Sequence, residues 1–148
     1  MEITKKLLKQ KFEEYNKLYF NNELKMCRFT YTYMRDMFGR YMTYTTPNKG
    51  EKMGHIWISK SIDLDEGMLR ELLVHEMIHH YVRTIDGVFF DGFFSHGRHF
   101  VRQVKRIKKQ YGLDIWICNP YWFYRNEKPE VTFSRKFIAF LRNRLHLF

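Results

Sequence analysis

His75 and His79 stand four residues apart in the segment His75-Glu76-Met77-Ile78-His79. On a helix, side chains at that spacing lie one turn above each other on one face. Two imidazoles so placed can bind one tetrahedral zinc ion at about 2.0–2.1 Å. Glu76 falls about 100° further round the helix, beside the metal rather than on it. From there its carboxylate can take a proton from a zinc-activated water and hand it to the amine leaving a cleaved peptide. The plainer reading, two histidines on the exposed side of an ordinary helix, is weakened by the apolar helical pattern around them.

A catalytic zinc needs a third protein ligand and an open fourth position. A metzincin carries its third histidine six residues after the second. That position here holds Ile85, which excludes the class. Downstream, Phe93-Phe94-Ser95-His96-Gly97-Arg98-His99-Phe100 offers two candidates. His96 lies across a glycine-bearing loop at the start of the next expected helix, and His99 lies one turn further on. The loop can fold that helix back against the first, but position alone leaves both histidines open.

The elements that must hold these residues follow from periodicity. Leu7, Leu8, Phe12, Tyr15, Leu18 and Tyr19 predict an amphipathic helix over residues 4–20, stopped by Asn21-Asn22. Residues 27–34, 39–46 and 53–59 are rich in β-formers, and their short links predict a small antiparallel or mixed sheet. Asp65 or Ser61 caps a helix over about residues 66–86, with Leu69, Leu72, Leu73, Met77 and Val82 apolar and Gly87 at its end. A further helix covers about 96–111, with Phe100, Val104, Ile107 and Tyr111 on one face and Gly112 as its stop. Residues 113–131 are aromatic and irregular, and a last helix is expected over about 133–146. The order is that of an α+β fold. A single domain spans 1–148, with a core over about 10–112 and an aromatic, basic extension over 113–148.

Composition bounds the rest. With 45% hydrophobic and 18% aromatic residues in 148, the chain has material for one core, and general disorder is excluded. No apolar run approaches the roughly 20 residues of a membrane span, and the mixed N-terminus does not read as a signal peptide. Cys27 and Cys118 stand far apart, so neither a disulfide framework nor a Cys-x-x-Cys zinc ribbon is indicated, and a reducing cytoplasm is the expected compartment. The net charge of +10 favours a polyanion partner, nucleic acid above all. Arg98, Arg102, Lys105, Arg106, Lys108 and Lys109 cluster on the helix that follows the third-ligand candidates, and Arg135, Lys136, Arg142 and Arg144 sit on the last helix. Trp116, Tyr121, Trp122 and Tyr124 lie between them. Such a surface can hold single-stranded nucleic acid by charge and stacking, against the alternative of a solvated basic face over an aromatic core.

Taken together, His75-Glu76-Met77-Ile78-His79 and His96-Gly97-x-x-Phe100 resemble the SprT-like (Spartan-related) zinc metallopeptidase family. Upstream, Tyr15-Asn16-x-x-Tyr19-Phe20-x-x-Glu23-Leu24, Gly39, Ile56-Trp57-Ile58-Ser59 and Leu72-Leu73-Val74 agree, so the resemblance covers about residues 10–105. It implies a zincin-like domain in which His75, His79 and His96 bind one zinc and Glu76 is catalytic, and it favours His96 over His99. Many members add a cysteine zinc ribbon, which this sequence lacks. The expected function is therefore a zinc endopeptidase acting on proteins or peptides, with DNA-associated proteins as candidate substrates and single-stranded DNA the favoured nucleic acid. The nucleic-acid contacts would come from Arg98, Arg102, Lys105, Arg106 and Lys109. The alternative is a non-catalytic nucleic-acid-binding module with a structural zinc. His80 reads as a partly exposed helix residue, His55 as structural, and no single tyrosine stands out as an oxyanion donor.

Overall fold

The first helix, α1 (Lys5–Tyr19), starts where the Thr4 hydroxyl accepts a hydrogen bond from the Leu7 N–H at 3.1 Å. It buries Leu8, Phe12, Tyr15 and Tyr19, while Leu18 stays exposed at its edge. Asn21 and Asn22 both take left-handed backbone, which ends the helix as the sequence suggests. Buried Asn16 then fastens the turn, bonding both the N–H and the carbonyl of Leu24. The structure is a computed structural model and describes residues 1–117 apart from 36, 48, 93 and 94. The expected helix over 133–146 and the basic and aromatic residues beyond 117 lie outside the described residues.

Three strands follow, β1 (Arg28–Thr32), β2 (Gly39–Thr45) and β3 (Lys52–Ser59). They form a mixed sheet in the order β1-β3-β2, so the last strand is central. β2 and β3 pair as an antiparallel hairpin, and β1 runs parallel to β3. The central strand is accordingly the most apolar. Gly54, Ile56 and Ile58 alternate onto the buried face, while His55 stacks on Trp57 across the other.

The helix α2 (Glu66–Thr84) is capped by Asp65, whose carboxylate accepts from the Met68 N–H at 2.7 Å. From Leu72 to Ile78 every residue is buried, which marks a central helix covered on all sides. The sheet, α1 and the last described helix, α3 (Arg98–Tyr111), enclose it, with Phe12, Ile56, Ile58, Leu69, Leu73, Met77, Ile78 and Phe100 fully buried among them. Gly112 closes α3 in left-handed backbone, and Leu113, Ile115 and Trp116 return to the core. No helix among the described residues is long and apolar enough to cross a membrane.

Candidate metal centre

His75 and His79 leave α2 one turn apart, as their spacing requires. The chain then turns through residues 85–97 and brings His96 back over them. Three Nε2 atoms converge: His75 to His79 at 3.3 Å, His79 to His96 at 3.1 Å and His96 to His75 at 3.1 Å. A tetrahedron with bonds of about 2.0–2.1 Å has edges of about 3.3 Å, so the three nitrogens outline one face of such a shell. The cluster can hold a metal ion. His99 does not enter it. Its Nδ1 faces Asp86 at 3.3 Å, and its neighbour Arg102 takes the same carboxylate at 2.8 Å.

The imidazoles are also in the right state for ligation. Burial holds His75 down to about 3, reinforced by His96 and opposed by its bond to Trp116. Burial likewise lowers His96 to about 4, against the pull of Asp91. His79 falls well below its ordinary value through burial and then through His75, His96 and Arg83. All three are therefore neutral at physiological pH, with lone pairs to give. His75 Nδ1 donates to the Trp116 carbonyl at 2.7 Å, which fixes the tautomer and turns the Nε2 lone pair toward the cluster.

Glu76 is buried beside the cluster, and burial pushes its carboxyl up to about 8. Its place depends on Gly39 of β2. A Cβ at that position would stand 2.4 Å from Glu76 Oε1 and 2.8 Å from Leu72 Cδ1. The strand thus passes directly over the carboxylate because it has no side chain there. Two residues on, on the same face of β2, Tyr41 lies against α2 with its ring nearly parallel to that of His79. The Tyr41 hydroxyl donates to His80 Nδ1 at 2.9 Å, and His80 Nε2 donates to the Lys25 carbonyl at 2.9 Å. His80 is only 1% exposed, so the expectation of a partly exposed residue is corrected. It fits because Gly54, opposite it on β3, leaves room that a Cβ would take from the imidazole.

A glycine–aspartate pair sets His96. Buried Asp91 accepts the N–H groups of His99 at 3.1 Å and Phe100 at 2.7 Å, capping α3 from outside the helix. Gly97, the residue after His96, presses so closely on Asp91 that a Cβ there would meet its backbone and carboxylate.

Above the cluster lies a cleft of about 380 Å³ bounded by β2, α2 and Val88, Phe89, Asp91, Ser95 and His96. β2 is an edge strand, with β3 its only strand partner among the described residues. The Phe38 carbonyl accepts from the Ser59 N–H at 2.7 Å, which sets the phase of the ladder. Phe38, Arg40 and Met42 therefore bond inward to β3, and Gly39, Tyr41 and Thr43 turn their N–H and C=O groups to the open edge. Gly39 and Tyr41 line the cleft.

The basic residues expected to meet nucleic acid lie elsewhere, and none lines the cleft. Arg98, Arg102, Lys105 and Lys109 form one stripe along α3. Arg102 is paired with Asp86, and Lys108 with Asp114. Arg106 folds inward to the Tyr19 carbonyl at 2.8 Å and to Gln103 and Gln110. Arg98, Lys105 and Lys109 remain as the stripe's uncommitted cations among the described residues. His55 stays on the outer sheet face, bonded to Thr30.

The Trp116 carbonyl, the Asp91 cap and the Tyr41–His80 pair carry no signature in the motifs themselves. A backbone acceptor has no residue code. Tyr41 was accessible through strand parity, since it must share a face with Gly39. Asp91 was accessible only as an acid placed shortly before a helix start.

Three neutral imidazoles and a buried glutamate converging on one cleft make a site that can hold a metal ion, two of its donors being borne on one helix. A model of the SprT-like family matches residues 8–119, and the chain belongs to that family. No curated protein matches the sequence significantly.

Proposed function

We propose that this chain is a zinc-dependent peptidase with a zincin-like active site. The observation that carries the reading is the convergence of His75, His79 and His96 beside buried Glu76 under an open strand edge. Neutral nitrogen donors on a tetrahedral face suit zinc, with His75, His79 and His96 holding it. Bound there, zinc would supply Lewis acidity toward a water and a peptide carbonyl.

The chain's own groups do the rest. Gly39, Tyr41 and Thr43 offer N–H and C=O groups to an extended peptide, which adds to β2 as a further strand. That pairing lays a peptide carbonyl over the histidine cluster. Glu76, which the charge of a bound cation would keep as a carboxylate despite its burial, takes a proton from the attacking water as the C–O bond forms. It then delivers the proton to the nitrogen as the C–N bond breaks, so Glu76 ends the cycle as a carboxylate. Arg98, Lys105 and Lys109 add a surface outside the cleft by which DNA-associated substrates would be held, single-stranded DNA being the favoured nucleic acid.

Glu76→Gln tests the assignment. The variant is expected to keep one zinc per chain and lose at least about a thousandfold in kcat on an unfolded protein substrate. Wild type and variant equally inactive on unfolded and DNA-bound proteins, with zinc bound in both, would return the site to a structural role in a non-catalytic nucleic-acid-binding module.

A further inference from the structure

The free charges around the cleft are of one sign. Arg40, exposed on β2, and half-buried Arg83, one turn beyond His79, both line it. Neither has a carboxylate within ion-pair distance among the described residues. The acids of the cleft are committed, Asp91 to the N–H groups of α3 and Glu76 to its place beneath Gly39. Arg83 is also held in place: its guanidinium lies 5.2 Å from the centre of the Phe89 ring, which carries Lys52 Nζ at 3.9 Å as well. An aromatic face steadies a cation without neutralising it, so the rim keeps its charge.

We propose that the cleft selects substrate segments with an acidic side chain close to the scissile bond, read by Arg83 and Arg40. This rests on the peptidase reading above. Arg83 lies four residues past His79, about 6 Å along the helix axis. An extended peptide covers that distance in about two residues. The acidic side chain therefore belongs within about two residues of the bond that is cut. Arg40 points to the other face of β2 from Gly39 and Tyr41, where it meets a neighbouring side chain of an added strand. A guanidinium fork donates two hydrogen bonds to a carboxylate, and lysine in the same place is repelled. Nucleic-acid phosphate is the competing anion. The extended strand edge beside these arginines fits a peptide backbone, which places the carboxylate first.

The test uses fluorogenic peptides identical except for Glu, Gln or Lys at each position near the mapped cleavage point. Cleavage by the wild-type protein is compared with binding of the same peptides to Glu76→Gln by anisotropy. At one position or more, Glu is expected to exceed Gln about fivefold in both kcat/KM and affinity, with Lys below Gln. The ratio falls in about 0.5 M salt, collapses toward one in Arg83→Gln and survives in Arg83→Lys. Metal content equal to wild type shows that each variant keeps its site. Equal or absent binding of all three peptides overturns the proposal, whatever the cleavage. Binding that prefers Glu with no cleavage of any peptide sinks the peptidase reading and leaves the acidic preference standing. If Arg83→Gln weakens single-stranded DNA binding and leaves the Glu-to-Gln ratio intact, the arginine reads phosphate and the proposal falls.

Discussion

Gly39→Ala is the sharpest probe of how the fold holds Glu76. The added methyl would stand 2.4 Å from Glu76 Oε1, about 1 Å inside the 3.4 Å of ordinary contact, and 2.8 Å from Leu72 Cδ1. Leu72 is 2% exposed and Glu76 4% exposed, so neither has solvent to retreat into. Overpacking of this kind costs about 1–3 kcal/mol, which for a domain of this size is roughly 3–9 °C in Tm. The catalytic loss should be larger than the stability loss, because a displacement of about 1 Å in a reacting group costs on the order of a hundredfold in rate. The three atoms nearest the new methyl belong to Glu76 and Leu72 and not to a histidine, so zinc content should stay at wild-type level. The assay is kcat on an unfolded protein at a temperature well below the variant's Tm, with metal analysis alongside. A variant that melts lower but keeps kcat within about threefold would refute the claim that this strand positions Glu76.

Three further outcomes follow from the same geometry. His96→Ala should lower metal affinity by more than about a hundredfold, while His99→Ala, which removes a side chain bonded to Asp86, should keep a full equivalent of metal by mass spectrometry. Asp91→Ala removes the acceptor of two α3 N–H groups; a stability loss of about 1–2 kcal/mol by denaturant titration and a tenfold or greater loss of metal affinity are expected, the second because His96 loses its anchor. Burial raises the Glu71 carboxyl from 4.5 to about 7. Between those values the folded chain holds a proton that the unfolded chain releases, so stability falls as pH rises through the window. Glu71→Gln should therefore raise Tm at pH 8 by roughly 3 °C, a figure discounted for the solvent that reaches the group, and do little at pH 4.

Much of this was readable from residue order. The faces of α1 and α3, the Asp65 cap, the Gly112 stop and the pairing of His75 with His79 all depend on local spacing, and local spacing is what periodicity reports; the choice of His96 over His99 came from the family resemblance alone. Sheet order was not readable in the same way. That β3 inserts between β1 and β2, parallel to one and antiparallel to the other, is decided by contacts between residues far apart in the chain. His80 shows a second limit. In α2 the buried arc widens until almost no face is free, so helical angle stopped discriminating inside from outside. The space that receives its ring exists because residue 54, on a different element, is glycine. Charge shows a third. Lysine and arginine counts on α3 suggested a uniform basic surface, yet Arg102, Arg106 and Lys108 are engaged within the protein, which only the fold could reveal.

The hydrogen bond from His75 to the Trp116 carbonyl joins two stretches of chain forty-one residues apart, and it makes them thermodynamic partners. The bond orients a nitrogen of the cluster that can hold a metal ion, and the segment that supplies the carbonyl is held down by Leu113, Ile115 and Trp116. Whatever factor the docked segment adds to metal affinity, metal must add to the docking of the segment, since coupling between two equilibria is reciprocal. Metal occupancy and the seating of residues 113–117 thus rise and fall together, and anything that lifts this stretch from the core acts on the metal centre without touching a ligand.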